Sequence, residues 1–214
     1  MRRSQFRSPY HPPNNPLKHF SPKCQNLKVS ELLKLPTHSD PARRALLTRT
    51  HVRDFQHAIA APARAPQPVI AAVHGLAFGL ALDALSAVDV RLAAADAAFS
   101  IKEVDVGLAA DIGTLARLPR LVANASLLHE LALTARVFGA RDALRLGLVS
   151  RVVPGSRDDV VGAALELARE IARKSPVAVV GVKRFISHAL DHSCVFLFTR
   201  LSPLIGIVIE LKMH

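Results

Sequence analysis

Residues 68–93 read PVIAAVHGLAFGLALDALSAVDVRLA, and this stretch decides the fold class. The apolar run at 68–73 contains β-branched side chains, which predicts a buried strand of the parallel type. His74-Gly75 predicts a turn, the Ala/Leu-rich residues 77–87 a buried helix, and residues 89–93 a second strand. This alternation of strand and helix predicts an α/β protein with a largely covered sheet.

The same alternation continues on both sides of this stretch. Upstream, Asp40 is placed to cap a helix over residues 41–60. Downstream, a third strand over 97–101 precedes a loop over 103–111. The remaining predicted elements are helices over 112–123, 125–134 and 140–146, a strand over 148–153, and helices over 156–174 and 176–190. We therefore expect one folded core over residues 40–193.

Composition and charge separate this core from the two ends of the chain. The 214 residues are 50% hydrophobic and 21% charged, which excludes a wholly disordered chain. Residues 1–58 carry 11 Lys and Arg against 3 Asp and Glu, so most of the net charge of +11 lies there. Residues 1–39 are predicted to be a basic, proline-rich disordered arm, which either directs import or has no structure of its own.

Residues 194–214 are predicted to be a divergent apolar tail. Arg200 and Pro203 interrupt it, and it falls short of the ~20 apolar residues that cross a membrane, so we expect no membrane span. Aromatic residues make up 5% of the chain and Trp is absent, which poorly supplies a stacking surface for nucleic acid. We therefore expect no nucleic-acid partner.

Three carboxylates stand where a purely structural sequence would not place them. Asp83 lies inside an apolar helix, Glu103 directly follows a strand, and Asp111 lies eight residues further on before a helix. Each also has an ordinary interpretation: Asp83 neutralises Arg91, Glu103 pairs with Lys102 in solvent, and Asp111 caps the helix. Together, carboxylates beside an apolar cavity suit proton transfer at carbon, because one removes a proton and another returns one.

The turn before Asp83 offers a second functional element. Residues 74–81 join a strand to a helix N-terminus, where backbone N–H groups can hold an anionic oxygen such as that of an enolate. No metal or nucleotide cofactor is expected. The residues His74, His129 and His192 have no second ligand at metal-like spacing, and Gly-x-Gly-x-x-Gly and phosphate-loop motifs are absent.

Several motifs resemble one family. PVIAAVHG at 68–75 and DVRLA at 89–93 are similar to the crotonase (enoyl-CoA hydratase/isomerase) superfamily. KEVDVGLAADIGTL at 102–115 resembles its delta(3,5)-delta(2,4)-dienoyl-CoA isomerases, and residues 138–152 and 174–179 extend the match. The resemblance implies a spiral of ββα turns, an acyl-CoA substrate, no cofactor, and assembly as a trimer or hexamer.

The resemblance also implies the roles of five residues. The backbone N–H of Leu80 would lie in an oxyanion hole, with Ala81 beside the substrate. Glu103 matches the shared acid/base glutamate, and Asp111 matches a carboxylate of the dienoyl isomerases. Asp83 replaces the second glutamate of the hydratases and would orient the pair. The implied reaction converts 3,5-dienoyl-CoA to 2,4-dienoyl-CoA in fatty-acid β-oxidation.

Two departures from the family leave activity open. The loop that supplies the second oxyanion N–H would correspond to residues 21–27, and the N-terminal strands and C-terminal helices of the family are expected to be missing or replaced. The alternatives are a catalytically impaired remnant that at most joins an assembly, and an enoyl-CoA hydratase. The family implies the peroxisome, with the mitochondrion as the alternative, although the C-terminal Leu-Lys-Met-His is no Ser-Lys-Leu-type signal.

Overall fold

The computed structural model describes residues 37–191, so the predictions for residues 1–36 and 192–214 lie outside the described part. The chain divides into two compact units, residues 1–51 and residues 52–214. Helix α1 (Pro41–Ile59) begins in the first unit and ends in the second. The N–H of Ala42 donates a hydrogen bond to Asp40 Oδ1 at 2.9 Å, which confirms the predicted cap.

Six short strands of the described chain form two three-stranded sheets. The strands in chain order are β1 (Ile70–Val73), β2 (Leu76–Phe78), β3 (Val90–Ala94), β4 (Ala98–Ser100), β5 (Phe138–Gly139) and β6 (Arg151–Val153). The first sheet has the order β1-β3-β6 and is parallel throughout. In the second sheet, of order β2-β4-β5, the pair β2–β4 is parallel and the pair β4–β5 is antiparallel.

Helices connect and cover these strands. They are α2 (Ala61–Arg64), α3 (Leu80–Leu85), a 3-10 helix (Glu103–Val106), α4 (Thr114–Leu121), α5 (Ala125–Thr134), α6 (Ala140–Leu146), α7 (Arg157–Ala172) and α8 (Pro176–Asp191). The path β1-β2-α3 is followed by β3-β4 and further helices, so the chain winds in ββα turns and the predicted α/β class is confirmed. None of the helices within residues 37–191 is long and apolar enough to cross a membrane.

A bend at His74-Gly75 passes the chain from the first sheet to the second. Gly75 has φ +60°, in the left-handed region where a side chain would strain the backbone. Beyond the bend, Phe78 at the end of β2 lies beside Ser100 at the end of β4. Parallel neighbours end at the same sheet edge, so α3 and the 3-10 helix begin close together.

Some predicted elements have different bounds in the structure. Ala77 and Phe78 belong to β2, so the helix predicted over 77–87 is shorter and lies at Leu80–Leu85. Pairing with β4 overrides the helical preference of this Ala/Leu run. The region 103–111 contains a short 3-10 helix rather than loop alone, and the strand predicted over 148–153 covers only its last three residues.

The main core lies between the second sheet and the surrounding helices. The rings of Phe99 and Phe138 stack with their centroids 5.5 Å apart, and both side chains are about 1% exposed or less. A smaller cluster lies on the first sheet, where Val160 of α7 packs among Leu92 and Ala94. Side chains of the helices thus cover the two sheets, in agreement with the covered sheet that the apolar strands predicted.

Helix α8 is fastened to the start of the first sheet by the buried Lys183. Its Nζ donates to the backbone oxygens of Pro62 and Gln67, each at 2.9 Å, and to Asp89 Oδ2 at 2.7 Å. The same Asp89 oxygen accepts the N–H of Val69 at 2.7 Å. Three acceptors match the three donors of an ammonium group, so burial leaves none unpaired.

We expect the substitution Phe138→Ala to lower the free energy of unfolding by about 3–5 kcal/mol. It removes a fully buried ring and the stacking contact of that ring with Phe99. The neighbouring Val137 is 43% exposed, so Val137→Ala should change it by less than about 1 kcal/mol. Urea titration of both variants checks the difference, and equal losses would contradict the assignment of Phe138 to the core.

Candidate active site

The adjoining ends of β2 and β4 bring a helix start and a carboxylate together. Gly79, just before α3, donates its N–H to the Ser100 oxygen at 3.0 Å and has φ +53°. A Cβ at this position would lie 3.4 Å from Glu103 Oε1. Glycine is favoured at this position because of the left-handed backbone conformation, and the position lies next to the Glu103 carboxylate.

The Glu103 side chain is half-buried and incompletely hydrogen-bonded. Its Oε2 is buried and has no hydrogen-bond partner. Burial raises the pKa of the Glu103 carboxyl, the charges of Asp83 and Asp111 raise it further, and backbone N–H groups oppose the shift without cancelling it. Lys102 pairs with Asp105 instead, so the interpretation of Glu103 as a solvated partner of Lys102 is wrong.

Asp83 is 2% exposed, and its carboxylate accepts hydrogen bonds from Thr114, the first residue of α4. Its Oδ1 accepts the backbone N–H of Thr114 at 2.6 Å and the Thr114 hydroxyl at 2.7 Å. Arg91 donates to three backbone carbonyl groups rather than to this carboxylate, so the pairing of Asp83 with Arg91 is also wrong. The buried charge is stabilised by hydrogen bonds at the start of α4.

Asp111 lies on the loop before α4 with an exposed side chain. Its N–H donates to the Ala109 oxygen at 2.8 Å, and its own carbonyl oxygen accepts Gln56 Nε2 at 2.9 Å. The N-cap position of α4 is occupied by Gly113, so Asp111 is not the cap of that helix. Its carboxylate remains accessible while the backbone is anchored on both sides.

The three carboxylates named from the sequence interact electrostatically in the structure. The charges of Asp83 and Asp111 both act on Glu103, which is close to α3 through Gly79. One carboxylate is buried and hydrogen-bonded, one is half-buried with a raised pKa, and one is exposed. Such unlike environments are what separates proton donors from proton acceptors.

Leu80 and Ala81 form the first turn of α3 beside this group. The first N–H groups of a helix have no acceptor within the helix, and the earliest N–H of α3 with a backbone partner is that of Leu82, which donates to the Gly79 oxygen at 2.7 Å. The N–H groups of Leu80 and Ala81 can therefore interact with an anionic oxygen near Glu103. Residues 21–27, the expected source of a second donor, lie outside the described residues.

Three residues of the site were not singled out from sequence. Thr114 holds Asp83, Gly79 lies next to the Glu103 carboxylate, and Gln56 anchors the Asp111 loop. Gly79 alone carried a signal, because a glycine between a strand and a helix is often required by the backbone. Thr114 and Gln56 act through contacts 31 and 55 residues apart, which periodicity does not reveal.

Metal-ligating side chains do not gather within residues 37–191, where no group of three His, Cys, Asp or Glu could hold an ion. His129 Nδ1 lies 2.8 Å from the Ala125 oxygen in its own helix. His192 lies outside the described residues.

Comparisons with known proteins agree on one family. The family model described as enoyl-CoA hydratase/isomerase matches residues 38–196. The human mitochondrial delta(3,5)-delta(2,4)-dienoyl-CoA isomerase is 48% identical over 165 residues, covering 77% of this chain and 50% of that protein. The peroxisomal Arabidopsis thaliana isomerase is 42% identical over 180 residues, covering 82% and 63%. The chain thus spans about half the length of the curated relatives it matches.

A solved structure gives the same result. The crystal structure of enoyl-CoA hydratase from Bacillus anthracis superposes with a TM-score of 0.69 and 31% sequence identity. The superposition covers 76% of this chain and 62% of that one. The ββα winding is therefore shared over most of the described residues.

The raised pKa of Glu103 predicts a pH-dependent effect on stability. Ionisation of Glu103 is disfavoured in the folded state, so its stabilising contribution is complete below the ordinary value of 4.5 and is lost as pH rises through the raised pKa. Glu103→Gln removes this ionisation. We expect the variant to melt on the order of 1–3 °C above the wild type at pH 7, with a smaller difference at pH 4.

Thermal unfolding of both proteins at the two pH values measures this difference. Glu166→Gln is the matched control, because it removes the same charge from an exposed position on α7. A Glu103→Gln variant that melts below the wild type at pH 7 would show that the carboxylate is stabilised, contrary to its burial.

Proposed function

The chain belongs to the enoyl-CoA hydratase/isomerase family, and on this premise we propose that it converts 3,5-dienoyl-CoA to 2,4-dienoyl-CoA. The resemblance found in the sequence and the crotonase-like fold are confirmed by the family match and the shared winding. Curated relatives at 42–48% identity are named delta(3,5)-delta(2,4)-dienoyl-CoA isomerases. Because the chain spans about half their length, the activity is a proposal for this chain.

The observation that carries the proposal is the unequal state of Glu103 and Asp111 in one site. An exposed carboxylate and a half-buried carboxyl of raised pKa are suited to remove and to donate a proton, respectively. Family enzymes act on CoA thioesters, and the N–H of Leu80 next to this pair would donate a hydrogen bond to the thioester oxygen. Ala81 would lie beside the substrate.

The reaction moves one proton along the acyl chain. Asp111 removes a proton from C2 of the 3,5-diene, and the electron pair delocalises onto the thioester oxygen and along the chain. The resulting trienolate is stabilised by the N–H of Leu80. Glu103 delivers a proton to C6, which leaves double bonds at C2 and C4. Afterwards Asp111 is protonated and Glu103 ionised, and proton exchange with water restores the pair.

Asp83 is proposed to orient this pair rather than to transfer a proton. Its Oδ1 accepts two hydrogen bonds from Thr114, and the carboxylate is almost fully buried. Its negative charge contributes to the raised pKa of Glu103, which keeps a larger share of Glu103 protonated. Thr114 thereby acts on the reaction through Asp83 as a positioning residue.

Assembly and compartment are proposed from the relatives. Assembly as a trimer or hexamer, which the family resemblance implies, is tested by sedimentation of the full chain. The named relatives are mitochondrial and peroxisomal proteins. We keep the peroxisome as the proposal and the mitochondrion as the alternative, and imaging of chains tagged at either terminus distinguishes them.

The activity test offers 3,5-dienoyl-CoA to the full chain and follows absorbance of the conjugated 2,4-diene. We expect Asp111→Asn and Glu103→Gln each to lower kcat by at least about 100-fold, because each removes one proton-transfer group. Asp105→Asn is the matched control, because Asp105 lies in the same 3-10 helix as Glu103 and pairs with Lys102 at the surface. Its kcat should stay within about twofold of the wild type.

Two outcomes of this assay would contradict the isomerase proposal. A folded wild-type chain without turnover would support the catalytically impaired remnant. Preferred hydration of 2-enoyl-CoA, measured as loss of its absorbance, would support the enoyl-CoA hydratase.

The role of Thr114 is tested with two substitutions. Thr114→Val removes the hydroxyl donor at nearly unchanged volume, whereas Thr114→Ser retains it. We expect the valine variant to lose about 1–3 kcal/mol of unfolding free energy and about tenfold in kcat with KM within about twofold. The serine variant should restore kcat. A valine variant with wild-type kcat would show that the hydroxyl holds α4 in place and does nothing for the reaction.

A further inference from the structure

A groove lies on the part of the fold that the proposed reaction does not use. It encloses about 620 Å³ between α8, the end of α7, α4 and the segments leading into β1 and β3. Its lining runs from Ala63 to Leu190, so it belongs entirely to the unit of residues 52–214. The lining includes none of the three carboxylates of the candidate site, although both places use residues of α4.

The groove carries positive charge. Five cationic side chains line it against one carboxylate: Arg91, Arg117, Arg120, Lys174 and Lys183 against Asp89. Asp89 is already bound by Lys183. The lining therefore attracts negative charge.

Two arginines of the lining, Arg91 and Arg117, have neutral hydrogen-bond partners. Arg91 donates to the carbonyl oxygens of Leu85, Val88 and Leu148, and Arg117 donates to Ser86 Oγ at 3.3 Å. Burial lowers the pKa of the Arg91 guanidinium, and the nearby charge of Asp89 opposes this shift. An incoming anionic group would offset the cost of this burial.

One wall of the groove is an exposed apolar stripe of α8. Val182, Ile186 and Leu190 are 57%, 61% and 42% exposed and recur every four residues, so they span about 12 Å along one helix face. A small molecule inside the cavity would leave this stripe in water. A second helix laid along it would cover both the stripe and the cavity, and the small residues Ala116 and Ala178 let its backbone approach closely.

We propose that this groove docks an acidic amphipathic helix of a partner polypeptide. The apolar face of the partner covers Val182, Ile186 and Leu190, and its carboxylates face the cations of the lining. The argument from charge favours a partner over a second copy, because the same groove of a second copy would bring a lining of five cations against this one. The positive charge of the lining also favours an acidic partner helix over a neutral one.

The test uses the full chain and a labelled synthetic peptide of 16 residues, with Leu along one helical face and Glu elsewhere. A scrambled peptide of the same composition and a peptide with Lys in place of Glu are the controls. Fluorescence anisotropy is recorded at about 0.15 M salt, where long-range attraction is screened. We expect the acidic amphipathic peptide to bind at least about tenfold more tightly than either control.

Two matched variants locate the binding. Ile186→Asp places a charge on the stripe and should weaken binding at least about tenfold. Leu133→Asp makes the same change on α5, at a side chain 73% exposed and outside the groove, and should bind like the wild type. Circular dichroism of both variants confirms that they fold, which is expected because both positions are exposed.

The opposite results overturn the proposal. Equal binding by wild type and Ile186→Asp, or by the scrambled peptide, would place the interaction elsewhere. Self-association of the chain that Ile186→Asp abolishes would assign the groove to a second copy. Binding of dodecanoate without binding of the peptide would assign it to a small anionic amphiphile.

Discussion

The pair of hydrogen bonds from Thr114 to Asp83 Oδ1 is the interaction on which the rest of the site depends. Asp83 lies on α3, whose first turn supplies the N–H groups of Leu80 and Ala81, and Thr114 is the first residue of α4. A carboxylate that is 2% exposed would be unstable without these donors. Separating α3 from α4 would therefore cost free energy, because it would leave Asp83 without these hydrogen bonds. The loop that carries Asp111 ends at Thr114 and is therefore fixed by the same contact.

Local signals in the sequence predicted most of the fold, and long-range contacts account for what it did not predict. The cap at Asp40 and the strands β1 and β3 follow from residues next to each other in the chain. The run of Ala and Leu after residue 76 favoured helix, and only the partner strand β4 makes its first part β2. The two residues of β5 form too short a strand for any pattern. Asp83 was recognisable from its apolar neighbours, whereas its partner Thr114, 31 residues away, was not.

The candidate site shows how three carboxylates can lie near one another although like charges repel. Asp83 accepts two hydrogen bonds from the start of α4, and the side chain of Asp111 is exposed to solvent. Glu103 is half-buried with one carboxylate oxygen unpartnered, and its pKa is raised first by burial and then by the charges of the other two carboxylates. Sequence similarity establishes the family, while this division between the three environments is what argues for proton transfer rather than for three copies of one structural role.

The contacts of Lys183 have a consequence for how the protein forms during translation. Its partners Asp89 and Pro62 precede it by 94 and 121 residues. At about 5–20 residues per second, a ribosome that has incorporated Asp89 needs roughly 5–20 s to reach its ammonium partner. During that interval the nascent segment before β1 lacks its anchor, so closure of this end of the domain is expected to be among the last events of its biogenesis and a point at which chaperones can act.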